Sequence, residues 1–245
     1  MKFSYLWLIS FWFLCSAFNL PDEKKYLAQQ AANIPLFDAN GSSYPLYSLL
    51  KNKPLIISPV YTKCKSLCGL INHGVYKAIK DLGTLGNDFS MISFSFDSSD
   101  TKEDLTFYQS LWKMDGNSWR AVSAHQQDII NLMASVGFEY EYNPSTKEFN
   151  HPSILIVLTP SGKISRFIYG LNPSKKDIEL AVIEAMAEQS RPGIIKGFYL
   201  RCFGYDPLLK TYKIDWRFII STSAGLLIIS LVSGIFIKSF IISKE

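Results

Sequence analysis

Apolar and polar positions are distributed in three regimes along the chain. At the front, Leu6 to Leu14 form an apolar run rich in aromatics behind a single cation, Lys2. At the back, Phe218 to Ile237 run 20 residues without a charge. Between them the pattern is periodic. Asn33 to Leu50 reads as short strands around an Asn40-Gly41 turn. Leu55 to Tyr61 is an unbroken apolar run, as a buried strand requires. Leu67, Leu70, Ile71, Val75, Ile79 and Leu82 then recur at helical spacing. Phe89 to Phe96 alternates like a strand. Thr101 to Asp104 has the form of a capping box, and Leu105, Tyr108, Leu111 and Trp112 follow it on a helix. Trp119 to Val122 reads as a strand and Asp128 to Val136 as a short helix. Ile154 to Thr159 and Ile164 to Tyr169 flank Pro160-Ser161-Gly162-Lys163, a hairpin signal. Ser174 caps a helix whose apolar positions are Ile178, Ala181, Val182, Ala185 and Met186.

Strands alternating with helices, then a hairpin and a last helix, predict an α/β sandwich of thioredoxin-like order. The expected organisation is a signal peptide over 1–17, a folded domain over 22–190, a membrane-proximal arm over 191–215, a transmembrane helix over 216–242 and a tail over 243–245. Cys15-Ser16-Ala17 suits signal-peptidase cleavage; the other reading of the front is an uncleaved anchor over Phe3 to Leu20. At 1.5 Å per residue, the C-terminal run matches a hydrocarbon core of about 30 Å. Trp216 and Arg217 stand at its start, where an aromatic and a cation anchor an interface. Lys238 and Lys244 favour a cytoplasmic C-terminus, although Lys213 and Arg217 blunt that asymmetry.

Composition excludes some classes. With 245 residues, 48% apolar and 14% aromatic, the chain is not disordered. A net charge of +4 without a dense Lys/Arg run leaves no electrostatic footprint for nucleic acid. No phosphate-binding glycine loop, serine nucleophile elbow or His-Glu-x-x-His is present.

The remaining chemistry gathers on Cys64-Lys65-Ser66-Leu67-Cys68, at the end of a predicted buried strand and the start of a helix. A spacing of four would put both sulfurs on one helical face, one turn apart. There they can close a reversible disulfide or grip one soft metal ion. The helix N-terminus and the neighbouring Lys63 and Lys65 favour the thiolate, which is both nucleophile and ligand. A plain structural disulfide is the bland alternative in an exported domain. His151, just before a strand, can complete a set of two thiolates and one imidazole, which suits copper and also zinc. His73 and His125 read as bland. Cys202 is the odd cysteine if Cys15 leaves with the signal.

Together these residues resemble the SCO1/SenC family, thioredoxin-like copper-binding proteins of cytochrome c oxidase assembly. Val60 to Cys68 resembles its CxxxC signature. Ser95-Phe96-Asp97-Ser98-Ser99-Asp100-Thr101 fits its Ser-x-Asp-x-x-x-Asp-Thr stretch. His151, 11 residues before the glycine of Pro160-Ser161-Gly162-Lys163, fits its distal histidine. Lys65 and Gly69 stand where the family usually has prolines, and Asn150 where it usually has Asp. The Cys202 to Pro207 stretch plus a C-terminal anchor is similar to a bacterial subgroup.

The resemblance implies copper, Cu(I) or Cu(II), held by Cys64, Cys68 and His151. It implies delivery to cytochrome c oxidase subunit II or another copper-loading protein. The expected setting is a single-pass protein of the bacterial inner membrane with its domain on the periplasmic side; the mitochondrial inner membrane is the other reading. The rival function is thiol-disulfide exchange, with Cys64 and Cys68 reducing the cysteines of the oxidase copper site. A third is an assembly factor with an inert disulfide.

Overall fold

The computed structural model describes residues 20–64, 68–188, 202–206 and 210–242, without the side chains of 68–71, 204–206 and 236–242. The expected signal peptide, most of the arm and the expected tail lie outside the described residues.

A seven-stranded sheet organises the domain, in the order β2-β1-β5-β4-β3-β8-β9. Its centre is β3 (Leu55–Val60), β4 (Ser90–Ser95) and β5 (Trp119–Ser123), all parallel. The hairpin of β8 (Ile154–Leu158) and β9 (Ile164–Tyr169) joins antiparallel on one side, β8 against β3. β1 (Pro35–Asp38) and β2 (Ser43–Pro45) close the other side. All six residues of β3 and all five of β8 are buried, because helices cover both faces.

Side chains alternate between two cores. Leu55, Ile57, Ile92, Phe94, Ile154 and Ile156 face α4 (Gln126–Ser135), which contributes Ile129, Leu132 and Met133. Ile56, Met91, Leu155 and Val157 face the other way. That second core is closed by α2 (Cys68–Leu82), α3 (Lys102–Leu111) and α5 (Lys175–Met186). The result is a thioredoxin-like α/β sandwich.

The predicted caps form. Thr101 and Ser174 each exchange hydrogen bonds with the acid three residues on, Asp104 and Asp177. Gly162 turns the β8–β9 hairpin at φ +88°, and a Cβ there would stand 2.7 Å from the Tyr47 ring. The stretch Asn33 to Leu50, expected as short strands, ends in a 3-10 helix over Leu46–Leu49, and two further features were not read from the sequence: a short helix, α1 (Glu23–Tyr26), and a small hairpin of β6 (Glu141–Asn143) and β7 (Glu148–Asn150). Part of the stretch expected to be an irregular arm is also a hairpin, β10 (Phe203–Asp206) with β11 (Thr211–Ile214). It leads into α6 (Trp216–Ile242), whose segment Trp216–Ile235 has mean hydropathy 2.1 and is unburied. By length and composition that helix can cross a membrane.

Candidate metal and thiol site

β3 and β4 are parallel and in register, so Val60 and Ser95 end side by side. The chain beyond Val60 carries Cys64. The strand that begins beside them, antiparallel, is β8, and His151 lies three residues before it. The fold thus brings Cys64 and His151 to the same end of the sheet across nearly ninety residues of chain. Cys64 is partly buried against the α4-side core, the large cluster to which Tyr61, Phe96 and Phe138 also belong. Those same three rings surround His151, with centroids 5.9, 5.2 and 5.9 Å from the imidazole.

Polar contacts fix the Cys64 turn. Asp100, whose side chain is fully buried, accepts from the Thr62 backbone N–H at 2.8 Å and the Thr62 hydroxyl at 2.7 Å. It also accepts from Ser95 Oγ at 2.5 Å. Lys63 Nζ lies 3.4 Å from Asp100 and 3.2 Å from Asp104. Burial lowers the Lys63 pKa, but the two carboxylates outweigh it and hold the ammonium above its ordinary value. A buried carboxylate needs such partners, and here they clamp the residues just before Cys64.

The imidazole is controlled by burial. His151 Nδ1 lies 3.1 Å from the Pro152 carbonyl. A carbonyl only accepts, so Nδ1 carries the proton and donates it. Desolvation by the surrounding rings lowers the His151 pKa, only partly opposed by that carbonyl. The result is a neutral ring with its lone pair on Nε2, the form that binds a metal.

Cys68 is the first residue of α2. Residues 65–67 and the Cys68 side chain lie outside the described residues, and with them the expectation that both cysteines share a helical face. Cys64 precedes the helix, in a turn where its N–H reaches the Tyr61 carbonyl at 3.4 Å. The Asp100 clamp sets the path of that turn, which spacing alone does not reveal. His73 is exposed on α2, and His125 is exposed before α4 with its ring 6.2 Å from Phe37. Neither is in the ring cluster around His151. Cys202 is a free, half-buried thiol.

Sequence reasoning missed two groups. Asp100 was seen only as part of a motif, not as the residue that holds Thr62. The cage rings Phe96 and Phe138, with Tyr140 and Phe149 packed behind them, were not assigned to His151. The alternation of Tyr140, Tyr142 and Phe149 around a turn was the available signal. Among the described residues, no group of three or more His, Cys, Asp and Glu is placed to hold a metal; the Cys68 side chain is not among them.

Cys64 and His151 lie at one sheet end with Cys68 at the start of α2, and thiolates with an imidazole are groups that can bind a soft cation or exchange disulfides. Comparison with solved structures extends this. A protein of Aquifex aeolicus VF5, provisionally described as an electron transfer protein, is 35% identical; the match covers 67% of this chain and 96% of that one, with a TM-score of 0.63. The copper-bound ScoI of Bradyrhizobium japonicum matches at 20% identity over 66% of this chain and 99% of its own, with a TM-score of 0.52. BsSco, described with a disulfide switch, matches at 20% identity over 66% and 96%, with a TM-score of 0.55. These last two show the fold. No curated protein sequence matches. The sequence profile described as SCO1/SenC matches residues 31–187, well over half the chain, and the protein therefore belongs to the SCO1/SenC family.

Proposed function

We infer that this chain is a membrane-anchored copper-handling protein of cytochrome c oxidase assembly. Cys64 and Cys68 bind the copper cargo as thiolates, and His151 Nε2 is the third ligand. The observation that carries this is the placement of His151 at the sheet end where the chain leaves β3 for Cys64, with its Nδ1 on the Pro152 carbonyl and burial disfavouring the charged ring. Family membership supports it, as do a related fold solved with copper bound and the description of BsSco among cytochrome c oxidase assembly proteins. The helix from Trp216 supports a C-terminal anchor. We assign residues 1–17 as the export signal, the domain to the outer face of a bacterial inner membrane, and oxidase subunit II as recipient of the copper by ligand exchange.

The second reading is thiol-disulfide exchange. What supports it is the pair of cysteines four residues apart, together with the description of the related BsSco by a disulfide switch. We assign Cys68 as the partner of Cys64 on spacing. One thiolate attacks the target disulfide and releases a target thiolate. The other then attacks the mixed disulfide, so the target gains two electrons and this pair closes. A closed pair cannot hold copper, so both readings require reduction first.

The test is copper stoichiometry on the full chain in detergent, reduced and anaerobic, beside Cys64→Ser and His151→Ala. One Cu(I) per chain, abolished in the first variant and weakened in the second, is the expected result. No binding by the unsubstituted chain would overturn the chaperone reading. Disulfide reduction that survives His151→Ala would then put exchange first.

A further inference from the structure

The segment between the domain and the membrane helix is docked, and it docks at a particular end. The site end of the sheet is where β3 and β4 finish and β8 begins. β9 finishes there too, since Tyr169 pairs with Ile154. Gly170 exchanges two hydrogen bonds with Ser153, two residues beyond His151, both at 3.0 Å. α5 starts close by at Lys175 and runs away from the site.

The β10–β11 hairpin lies across the start of α5. Thr211 Oγ1 donates to Asp177 Oδ1 at 3.2 Å, and the Lys176 ammonium sits 3.5 Å from the Phe203 ring centroid. Lys210 lies 4.1 Å from the centre of the Tyr169 ring and 3.7 Å from Glu23. One contact reaches further along: Tyr212 is buried, and its hydroxyl donates to Glu184 Oε2 at 2.6 Å. Glu184 in turn is paired with Arg166. Desolvation, then the Glu184 charge, holds the Tyr212 pKa well above its ordinary value, so the phenol stays a donor.

No slack follows the hairpin. β11 ends at Ile214 and α6 begins at Trp216. The residue between, Asp215, donates its N–H to the Cys202 carbonyl at 2.8 Å. Its carboxylate accepts from the Phe218 N–H at 3.1 Å, capping the helix. Trp216, 64% exposed, and Arg217 mark the lipid interface at that level. The chain enters α6 beside the start of α5, because Phe203, which Lys176 covers, pairs with Ile214.

We propose that the docked hairpin seats the domain with its Cys64/His151 end toward the bilayer. The partner is then a membrane-embedded protein that presents its metal or disulfide site close to the lipid surface, not a soluble carrier approaching from the aqueous side. This rests on the anchoring reading of α6.

The test is energy transfer in nanodiscs containing the full chain and headgroup-labelled acceptor lipid. Donor dyes are attached through an azido amino acid at Glu141, exposed on the site-end hairpin, or at Asp88, exposed in the turn before β4 at the opposite end. A six-residue strand spans about 20 Å, and transfer from position 141 should exceed transfer from position 88 by about twofold. Equal or reversed transfer overturns the proposal. Thr211→Val with Tyr212→Phe removes two hairpin hydrogen bonds and should abolish the difference; an unchanged difference would overturn the role of the hairpin. If alkaline washing strips the chain from the discs, the anchoring reading itself fails, which is a separate result.

Discussion

Cys64 stands on a turn held by directional polar contacts, whereas His151 stands at a strand end held by rings. The Thr62 N–H and hydroxyl converge on one buried carboxylate, Asp100, together with Ser95. Such contacts fix backbone position, because a hydrogen bond weakens steeply off its axis. Around His151 the contacts are Tyr61, Phe96 and Phe138, which have little directional demand and instead exclude water. They set the protonation state. The site thus separates two tasks, placing the sulfur and keeping the nitrogen neutral, and gives each to the interaction suited to it.

Each half can be broken separately. Phe96→Ala is expected to have the largest effect, about 3–5 kcal/mol lost in a denaturant titration. Phe96 is 2% exposed and touches Tyr61, Phe138, Tyr140, Phe149 and His151. The same variant should raise the His151 pKa toward its ordinary value by NMR titration. Asp100→Ala should cost about 3 kcal/mol, since it leaves the buried Ser95 hydroxyl and the Thr62 N–H without their acceptor. Its signature is an altered reduction and alkylation rate at Cys64 with the His151 titration unchanged. Coupled changes in both readouts from either variant would refute the division of labour.

The effect of pH is smaller and has a definite sign. The folded His151 pKa lies below the ordinary 6.5. Between these two values the unfolded chain binds the proton more readily. The contribution of the neutral ring is therefore complete above pH 6.5 and declines as pH falls below it. Thermal unfolding from pH 7.5 to 5 should show that decline, and Phe96→Ala should flatten it. Smallest is Lys63→Ala. The Lys63 side chain is 51% exposed, so losing its ion pairs should cost no more than about 1 kcal/mol in thermal unfolding, reduced further by salt.

The legible part of this protein was what local patterning encodes. The unbroken run at Leu55 predicted β3, the alternation at Phe89 predicted β4, and Thr101 and Ser174 marked two helix starts at the residue. Each rests on interactions within a few positions of chain. What failed depended on distant partners. The turn before Cys64 answers to Asp100, which holds Thr62 from thirty-eight residues away, and cysteine spacing does not reveal that. Asn150 to Pro152 gave no sign of an aromatic cage, because its rings come from the residues just after β3, β4 and α4. Ser190 to Asp215, rich in Gly and Pro, read as irregular. The hairpin within it is fixed by Asp177, Lys176 and Glu184 on another element.

By itself the sequence determined the periodic elements, the two apolar ends and the identity of the chemical groups, since these follow from residue type and near-neighbour spacing. Only the tertiary structure decided that Cys64 and His151 lie at the same end of the sheet. Strand pairing places β3 beside β8 antiparallel, and no local signal sets which strand ends coincide. It also decided that the imidazole is neutral, because desolvation depends on which rings surround it, and those rings are brought together only by the packed fold.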